Sequence, residues 1–208
     1  MLQEFELGRR ALLGHALVLA GAVSTAGFSA EALAKAAAKP KRYLAKSPFA
    51  ALSALADTIV PVTETPGALA ANVPALVDAL LVNWASPETR EAIGGSLARL
   101  DATAQAQHGK TFAALTAAER AAFLTDYDKA ALKPVPPPPG AKSANPFAPT
   151  VYVIDPGYLR VKGLIIALYY SSEIGLTQEL IYEHVPGTWQ PSIKLEPGMR
   201  PFAGTGPF

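Results

Sequence analysis

Carboxylates suited to acid–base chemistry gather beside two short segments of the sequence. The first segment is PVTETPG at 61–67, and the second is YYSSEIG at 169–175. The carboxylates beside them are Asp57, Glu64, Glu173, Glu179 and Glu183. Two carboxylates whose surroundings separate their pKa values serve as general acid and general base. Glutamates on helices are more often solvated or hydrogen bonded, so we favour a structural role for these residues.

Other reactive groups are scarce in this chain. It has no cysteine, which excludes thiolate nucleophiles, disulfides and sulfur-ligated metals. The histidines His15, His108 and His184 lie far apart and lack a second ligand at metal-binding spacing. No catalytic-triad order, phosphate-binding loop or zinc motif is present in the sequence. We therefore predict no catalytic residue, cofactor site or metal site within this chain.

The segment 169–175 has structural explanations that need no chemistry. Glu173 is predicted to fix a turn at a helix end by accepting backbone N–H bonds, together with Ser172. Gly175 is predicted to end that helix in a left-handed conformation. Tyr169 and Tyr170 are about 100° apart on a helix, so we expect one of them to meet another surface.

Five helices must position these segments, according to the spacing of apolar residues and the capping signals. They are predicted at 48–59, from Asn72 to near Ser86, from Ser86 onward, from Thr116 onward, and at 158–171. Trp84 belongs to the apolar stripe of the second helix, and Thr116 with Glu119 forms a capping box for the fourth. With 50% hydrophobic residues, the chain is predicted to be all-α, a single small helical bundle.

Two segments of the chain are unsuited to helix. The proline-rich stretch at 133–149 is predicted to be an exposed extended loop, acting as a connector or as an arm that contacts a partner. The residues from Pro186 onward have no sustained periodicity, and their isolated apolar anchors include Trp189. We expect this irregular tail to wrap its own helices or a partner.

The amino terminus is typical of an export signal. Arg9 and Arg10 precede a mildly apolar run, 11–28, which is too weak for a permanent membrane span of about 20 strongly apolar residues. The pair resembles a twin-arginine signal, with cleavage after Ala26 or, as we favour, after Ala34. An amphipathic first helix with solvated arginines is the alternative.

The predicted organisation is a signal peptide at 1–34, a linker at 35–46 and a helical domain with a wrapping tail at 47–208. The net charge of +1, without clustered basic and aromatic residues, argues against nucleic acid as a partner. Membrane contact is expected only through the signal peptide or the wider complex.

Two segments together resemble the gluconate 2-dehydrogenase subunit 3 family. They are LSALADTIVPVTETPGALAANVPALVDALL at 52–81 and YYSSEIGLTQELIYEHVPGTW at 169–189. The residues that keep the family pattern are Asp57, Pro61, Thr65, Pro66, Gly67 and Asp78, and Tyr170, Ser172, Glu173, Gly175, Glu179, Tyr182, Pro186 and Gly187. The resemblance covers most of the chain after the signal.

The resemblance implies a non-catalytic small subunit of a periplasmic, FAD-dependent dehydrogenase of the glucose–methanol–choline type. The catalytic partner would hold FAD, act on sugars or alcohols, be exported together with this chain and pass electrons to an acceptor such as cytochrome c. The residues expected at the partner interface are Pro66, Gly67, Tyr169, Tyr170, Ser172, Glu173, Gly175, Glu179, Tyr182, Pro186, Gly187 and Trp189.

Two alternatives remain open at the level of the sequence. The first is an exported enzyme or ligand-binding helical domain that works alone and uses the neighbourhood of Glu173 and His184. The second is a membrane-anchored structural protein whose first helix is not cleaved. Activity of the isolated chain distinguishes the first, and the mass of the mature chain distinguishes the second.

Overall fold

The computed structural model describes residues 42–140, 151–182, 192, 194 and 197–202. The predictions for the signal peptide with Arg9 and Arg10, for most of the proline-rich stretch and for Pro186, Gly187 and Trp189 lie outside these residues.

The described part of the chain folds into five α-helices. They are α1 (Lys46–Ile59), α2 (Val73–Asn83), α3 (Pro87–His108), α4 (Ala117–Ala131) and α5 (Pro156–Tyr170). A 3₁₀ turn, Phe112–Ala114, precedes α4, and a π-helical turn, Gly175–Glu179, follows α5. Extended pairing in this part is limited to isolated bridges between Pro134 and Val153 and between Ile181 and Phe202. The all-α prediction is confirmed.

Side-chain caps set the starts of three helices. At α3, Ser86 Oγ accepts from the Thr89 N–H at 3.2 Å. At α4 the predicted capping box is present: Thr116 Oγ1 accepts from the Glu119 N–H at 3.3 Å, and Glu119 Oε2 accepts from the Thr116 N–H at 2.7 Å. At α5, Asp155 Oδ1 accepts from the Tyr158 N–H at 3.0 Å. These bonds satisfy donors that an uncapped helix leaves unpaired.

The starts of the first two helices differ from the predictions. Helix α1 begins at Lys46, two residues before Pro48, where the sequence predicted its start. Its N-cap residue is Ala45. Asn72 does precede α2, but it has φ 56° and makes no side-chain cap bond. Asparagine tolerates this left-handed conformation better than most residues, so its contribution comes from the backbone turn.

The core lies between α1, α3 and α5, and α2 and α4 complete it. The largest fully buried side chains are Tyr158, Tyr169, Phe112, Leu52, Leu55, Leu81, Ile93, Leu97, Leu100, Ile165, Val73 and Val77. Helix α5 packs on α3, α2 and α1. It approaches α3 so closely that a Cβ on Gly157 would lie 2.1 Å from the Ala92 carbonyl oxygen. Within the described residues, no helix is long and apolar enough to cross a membrane.

Trp84 is a wrong prediction of burial. Val77 and Leu81 of the same stripe are buried, but the Trp84 side chain is 77% exposed. Helix α2 ends at Asn83, and Trp84 at its C-cap has φ −128° and ψ −35°. The side chain therefore leaves the direction that helical periodicity gives to the stripe.

Candidate functional site

The loop before α2 and the end of α5 meet in space. The Tyr169 hydroxyl donates to the Pro66 carbonyl oxygen at 2.8 Å, and its side chain is 1% exposed. The Thr65 hydroxyl donates to the Glu179 carboxylate. We call Thr65, Pro66, Tyr169 and Glu179 the loop–turn contact. It joins the two segments that the resemblance singled out, although about 100 residues of chain separate them.

Two glycines permit this contact because they have no Cβ where other backbone atoms approach closely. Neither glycine has a positive φ. A Cβ on Gly67 would lie 2.6 Å from the Val60 carbonyl oxygen. A Cβ on Gly175 would lie 2.1 Å from the Tyr169 carbonyl oxygen, closer than real Cβ atoms approach. The predicted left-handed conformation of Gly175 is wrong, because its φ is not positive and it opens the π-helical turn instead.

Ser172 fixes the turn after α5. Its hydroxyl donates to the Tyr169 carbonyl oxygen at 2.6 Å and accepts from the Gly175 N–H at 3.0 Å. The prediction that the Glu173 carboxylate accepts these backbone bonds is wrong. The Glu173 side chain is exposed, and its carbonyl oxygen accepts from the Thr177 hydroxyl at 2.7 Å. Serine reaches its own backbone with fewer rotatable bonds, which favours it at this position.

The described part of the tail lies against the same turn. The Ile181 N–H donates to the Pro201 carbonyl oxygen at 2.9 Å, and the Arg200 guanidinium donates to the Gln178 carbonyl oxygen. A cavity of about 300 Å³ remains between this segment and the first loop. Its lining residues are Thr63, Glu64, Thr65, Glu179, Met199, Arg200 and Pro201. The tail residues near 200 therefore contact their own chain.

The electrostatics of the loop–turn contact suit a structural joint. Burial raises the pKa of Tyr169, so its phenol stays protonated and remains a hydrogen-bond donor. Tyr170 is half-buried and lies edge-on to Tyr169, with ring centroids 5.2 Å apart. The joint combines neutral donors with carbonyl and carboxylate acceptors, and each of these bonds holds one segment onto another.

Most of the carboxylates near the core are also engaged. Asp57 pairs with Arg120 at 3.0 Å, which ties α1 to α4. Asp155 accepts from Arg99 at 2.8 and 2.9 Å, which ties the start of α5 to α3. Burial by itself would raise the pKa of Asp155, but hydrogen bonds from Arg99 and from the Tyr158 N–H outweigh it and lower that pKa.

A second polar cluster, which sequence reasoning missed, joins α4 and α5. Asp128 accepts from Lys162 at 2.5 Å and from the Tyr158 hydroxyl at 3.0 Å. These three residues line a cavity of about 520 Å³ together with Thr58, Ile59, Ala121, Leu124, Thr125 and Lys129. Burial raises the pKa of Tyr158, and the nearby Asp128 raises it further. The signal available in the sequence was the i, i+4 spacing of Tyr158 and Lys162.

Asp78, which keeps the family pattern, has an identifiable task. It is 4% exposed, and its carboxylate accepts from the Leu44 N–H at 2.8 Å and from the Tyr43 N–H at 3.3 Å. Leu44 itself is buried in the core. A buried charge that is hydrogen bonded in this way fixes the chain just before α1 to α2.

The residues expected at a partner interface fall into three groups. Those inside the protein's own contacts are Pro66, Gly67, Tyr169, Ser172, Gly175 and Glu179. Tyr170 is half-buried, and Glu173 and Tyr182 are exposed. Pro186, Gly187 and Trp189 lie outside the described residues. The role of these residues in binding a partner stays a prediction.

The described residues contain no group of three or more His, Cys, Asp or Glu side chains arranged for a metal ion. The loop–turn contact is the candidate functional feature, because it joins two segments that are distant in sequence.

Comparison with known protein families gives a match that spans all five helices. Residues 46–187 match the family described as gluconate 2-dehydrogenase subunit 3. The match includes α1 to α5 and both segments of the loop–turn contact. Neither the search of curated proteins nor the search of solved structures found a match. The chain belongs to the gluconate 2-dehydrogenase subunit 3 family, that is, to the small subunits of dehydrogenase complexes.

Proposed function

We propose that this chain is the non-catalytic small subunit of a periplasmic dehydrogenase complex, and that it supports the folding, stability and export of the catalytic subunit. The observation that carries the proposal is the family match over residues 46–187. The catalytic subunit is proposed to be an FAD-dependent enzyme of the glucose–methanol–choline type that oxidises a sugar or alcohol. A cytochrome c is the proposed electron acceptor.

The bonding of the motif residues supports a binding role. Thr65, Tyr169 and Ser172 use their hydroxyl groups in contacts within the chain. Such bonds hold the first loop, α5 and the π-helical turn in one fixed arrangement. A preformed surface loses less conformational entropy on association than a mobile one. These three residues, which lie in the two segments of the family resemblance, thus serve the shape of the protein.

The export part of the proposal rests on the sequence. Arg9 and Arg10 precede a weakly apolar run with small residues at two candidate cleavage sites, and cleavage is proposed after Ala34. The twin-arginine route transports folded proteins. A catalytic subunit that has already bound FAD and this chain would cross the inner membrane by that route.

Co-expression tests the binding role. We expect the chain and an FAD-dependent dehydrogenase from the same genome to purify as a stable complex, with more soluble and more flavin-loaded enzyme than the dehydrogenase yields alone. Equal flavin content and equal solubility without this chain would contradict the proposal. Substrate oxidation by this chain alone would support the stand-alone enzyme instead.

Replacement of both arginines by lysine tests the export role. Arg9→Lys with Arg10→Lys keeps the charge and removes the guanidinium pair, so both subunits should decrease together in the periplasmic fraction. Unchanged periplasmic activity would indicate another route. The intact mass of the mature chain independently gives the cleavage position, and a chain that begins at Met1 or Leu2 would indicate an uncleaved anchor.

A further inference from the structure

Two neighbouring helices have outward faces that are unusually apolar. The structure describes every residue of α2 and α5. The only charged residue of α2 is Asp78, which is buried. From Gly163 to Tyr170, α5 has no charged residue at all. A helix that is apolar on all sides is normally covered on all sides.

The two helices lie side by side and run in opposite directions. At the end of α5, the Tyr169 hydroxyl donates to the Pro66 carbonyl oxygen in the loop before α2. The beginning of α5 bonds to the helix after α2, through Arg160 and Thr89 at 3.3 Å. Helices α2 and α5 also pack directly on each other. Their outward faces therefore adjoin, and we call this surface the α2–α5 face.

The α2–α5 face exposes large and small apolar side chains together. Leu76 on α2 is 39% exposed, Ile166 on α5 is 37% exposed, and Trp84 at the end of α2 is 77% exposed. The smaller exposed residues on the same two helices are Ala79, Gly163 and Ala167. Soluble monomers seldom expose large apolar patches, so exposed apolar residues on two helices that pack on each other favour a surface that is covered in a complex. By contrast, α3 and α4 present several charged residues, such as Glu91 and Asp126.

Two arginines at the corner between α2 and α3 have no carboxylate partner among the residues that the structure describes. Arg160 bonds to the Thr89 hydroxyl, and Arg90 bonds to the Val82 carbonyl oxygen at 3.1 Å and lies over the Tyr43 ring. The ion pairs of the described residues include neither arginine. Exposed tryptophan, tyrosine and arginine side chains are the types that dominate binding energy at protein interfaces.

We propose that the α2–α5 face binds the catalytic dehydrogenase subunit, which presents an apolar surface bordered by a carboxylate for Arg160. This inference rests on the proposed function. The charge at the corner favours a different chain over a second copy, because a copy would bring the same unpaired cations, whereas another subunit supplies the opposite charge. The family is described as one subunit of a dehydrogenase, so its members assemble with other chains.

Substitutions on the face test the proposal. Trp84→Ala, Ile166→Glu and Arg160→Glu should each weaken the affinity for the co-expressed FAD-dependent dehydrogenase by at least about tenfold. Two matched variants lie elsewhere: Ile154→Ala removes another exposed apolar side chain, and Lys110→Glu reverses another exposed charge. Both should bind within about twofold of the wild type. Thermal unfolding of each variant shows whether it is folded.

Cysteine labelling gives a second measurement that perturbs the fold less. The natural chain has no cysteine, so each single cysteine reports one position. Ala79→Cys on α2 and Ala167→Cys on α5 should react with maleimide at least about tenfold more slowly in the complex, since interface centres exclude water. Ala106→Cys on α3, which is also exposed, should react at the same rate with or without the dehydrogenase.

The outcomes separate this inference from the proposed function. If the wild-type chain fails to bind the dehydrogenase, the proposed function is wrong and this inference fails with it. If the wild type binds but the face variants bind equally well and both cysteines stay reactive, the function stands and the α2–α5 face is excluded. Weaker binding of the face variants, together with slower maleimide labelling at positions 79 and 167 in the complex, supports the α2–α5 face as the binding surface.

Discussion

Individual side chains in this protein bridge segments that are distant in sequence. Tyr169 bonds to Pro66, Asp155 bonds to Arg99, and Asp78 holds the N–H groups of residues before α1. Each of these contacts places a polar atom in surroundings with little water. Loss of one partner leaves the other unsatisfied, so single substitutions should have measurable effects on stability.

The Tyr169 hydroxyl gives the simplest test at the residue scale. Tyr169→Phe removes one oxygen, keeps the ring and leaves the Pro66 carbonyl without its partner. We expect the free energy of unfolding to fall by about 1 kcal/mol in chemical denaturation. Tyr170→Phe is the matched variant, because the described contact of Tyr170 is made by its ring. An equal loss in both variants would contradict the assigned bond.

Asp155 predicts a pH dependence of stability. Its pKa is lowered in the folded protein, so its contribution is present above the unfolded value of about 3.9 and is lost as the pH falls through the folded value. Asp155→Asn should cost about 1 kcal/mol near neutral pH, a modest amount because Arg99 is half exposed. Once the pH lies below the folded pKa of Asp155, the stabilities of the two proteins should converge. A constant difference at all pH values would exclude the charge as the cause.

The secondary-structure elements are held by two kinds of local signal, caps and close approaches. Caps were predictable: Ser86 and the Thr116–Glu119 box are residue types that act within one turn. The approach of Gly175 to the Tyr169 carbonyl was not, because the sequence pattern offered a left-handed cap as the usual use of a glycine after a helix. The π-helical turn has no comparable sequence signal.

A pair of glycine substitutions tests that close approach. Gly175→Ala places a Cβ against the Tyr169 carbonyl oxygen, so we expect a loss of about 2 kcal/mol or more. Gly163→Ala adds a Cβ into open space in the middle of α5, where alanine favours helix by up to about 1 kcal/mol. The midpoint of thermal unfolding should fall for Gly175→Ala and rise for Gly163→Ala. A neutral Gly175→Ala variant would show that the turn relaxes.

Across the described domain, α3 and α4 expose several charged residues, whereas the exposed residues of α2 and of the second half of α5 are uncharged. The sequence predicted the helical class and, through its resemblance, the two segments that meet. It did not predict which helix faces stay uncovered, since Trp84 was assigned to the apolar stripe of α2. It also did not predict the ion pairs of Arg99 and Arg120. Their partners, Asp155 and Asp57, are about 60 residues away, so only the tertiary packing reveals these pairs.

The described tail gives a prediction at this scale. Removal of residues 197–208 takes away the Pro201 acceptor of the Ile181 N–H and the Arg200 donor to Gln178. Amide hydrogen exchange at Ile181 should become faster, while the midpoint of thermal unfolding changes little. Phe202→Ala keeps the backbone bond and should retain the protection. Unchanged exchange after the deletion would show that the bond does not contribute in solution.

The hydrogen bonds from the Tyr43 and Leu44 N–H groups to Asp78 limit how far the protein can be shortened at its amino-terminal end. The family match starts at residue 46, which makes that residue an attractive place to begin a recombinant fragment. Such a fragment would discard Leu44 from the core and both amides that the Asp78 carboxylate accepts from. A carboxylate trapped without donors is costly, so fragments that begin at 42 should yield more soluble material than fragments that begin at 46.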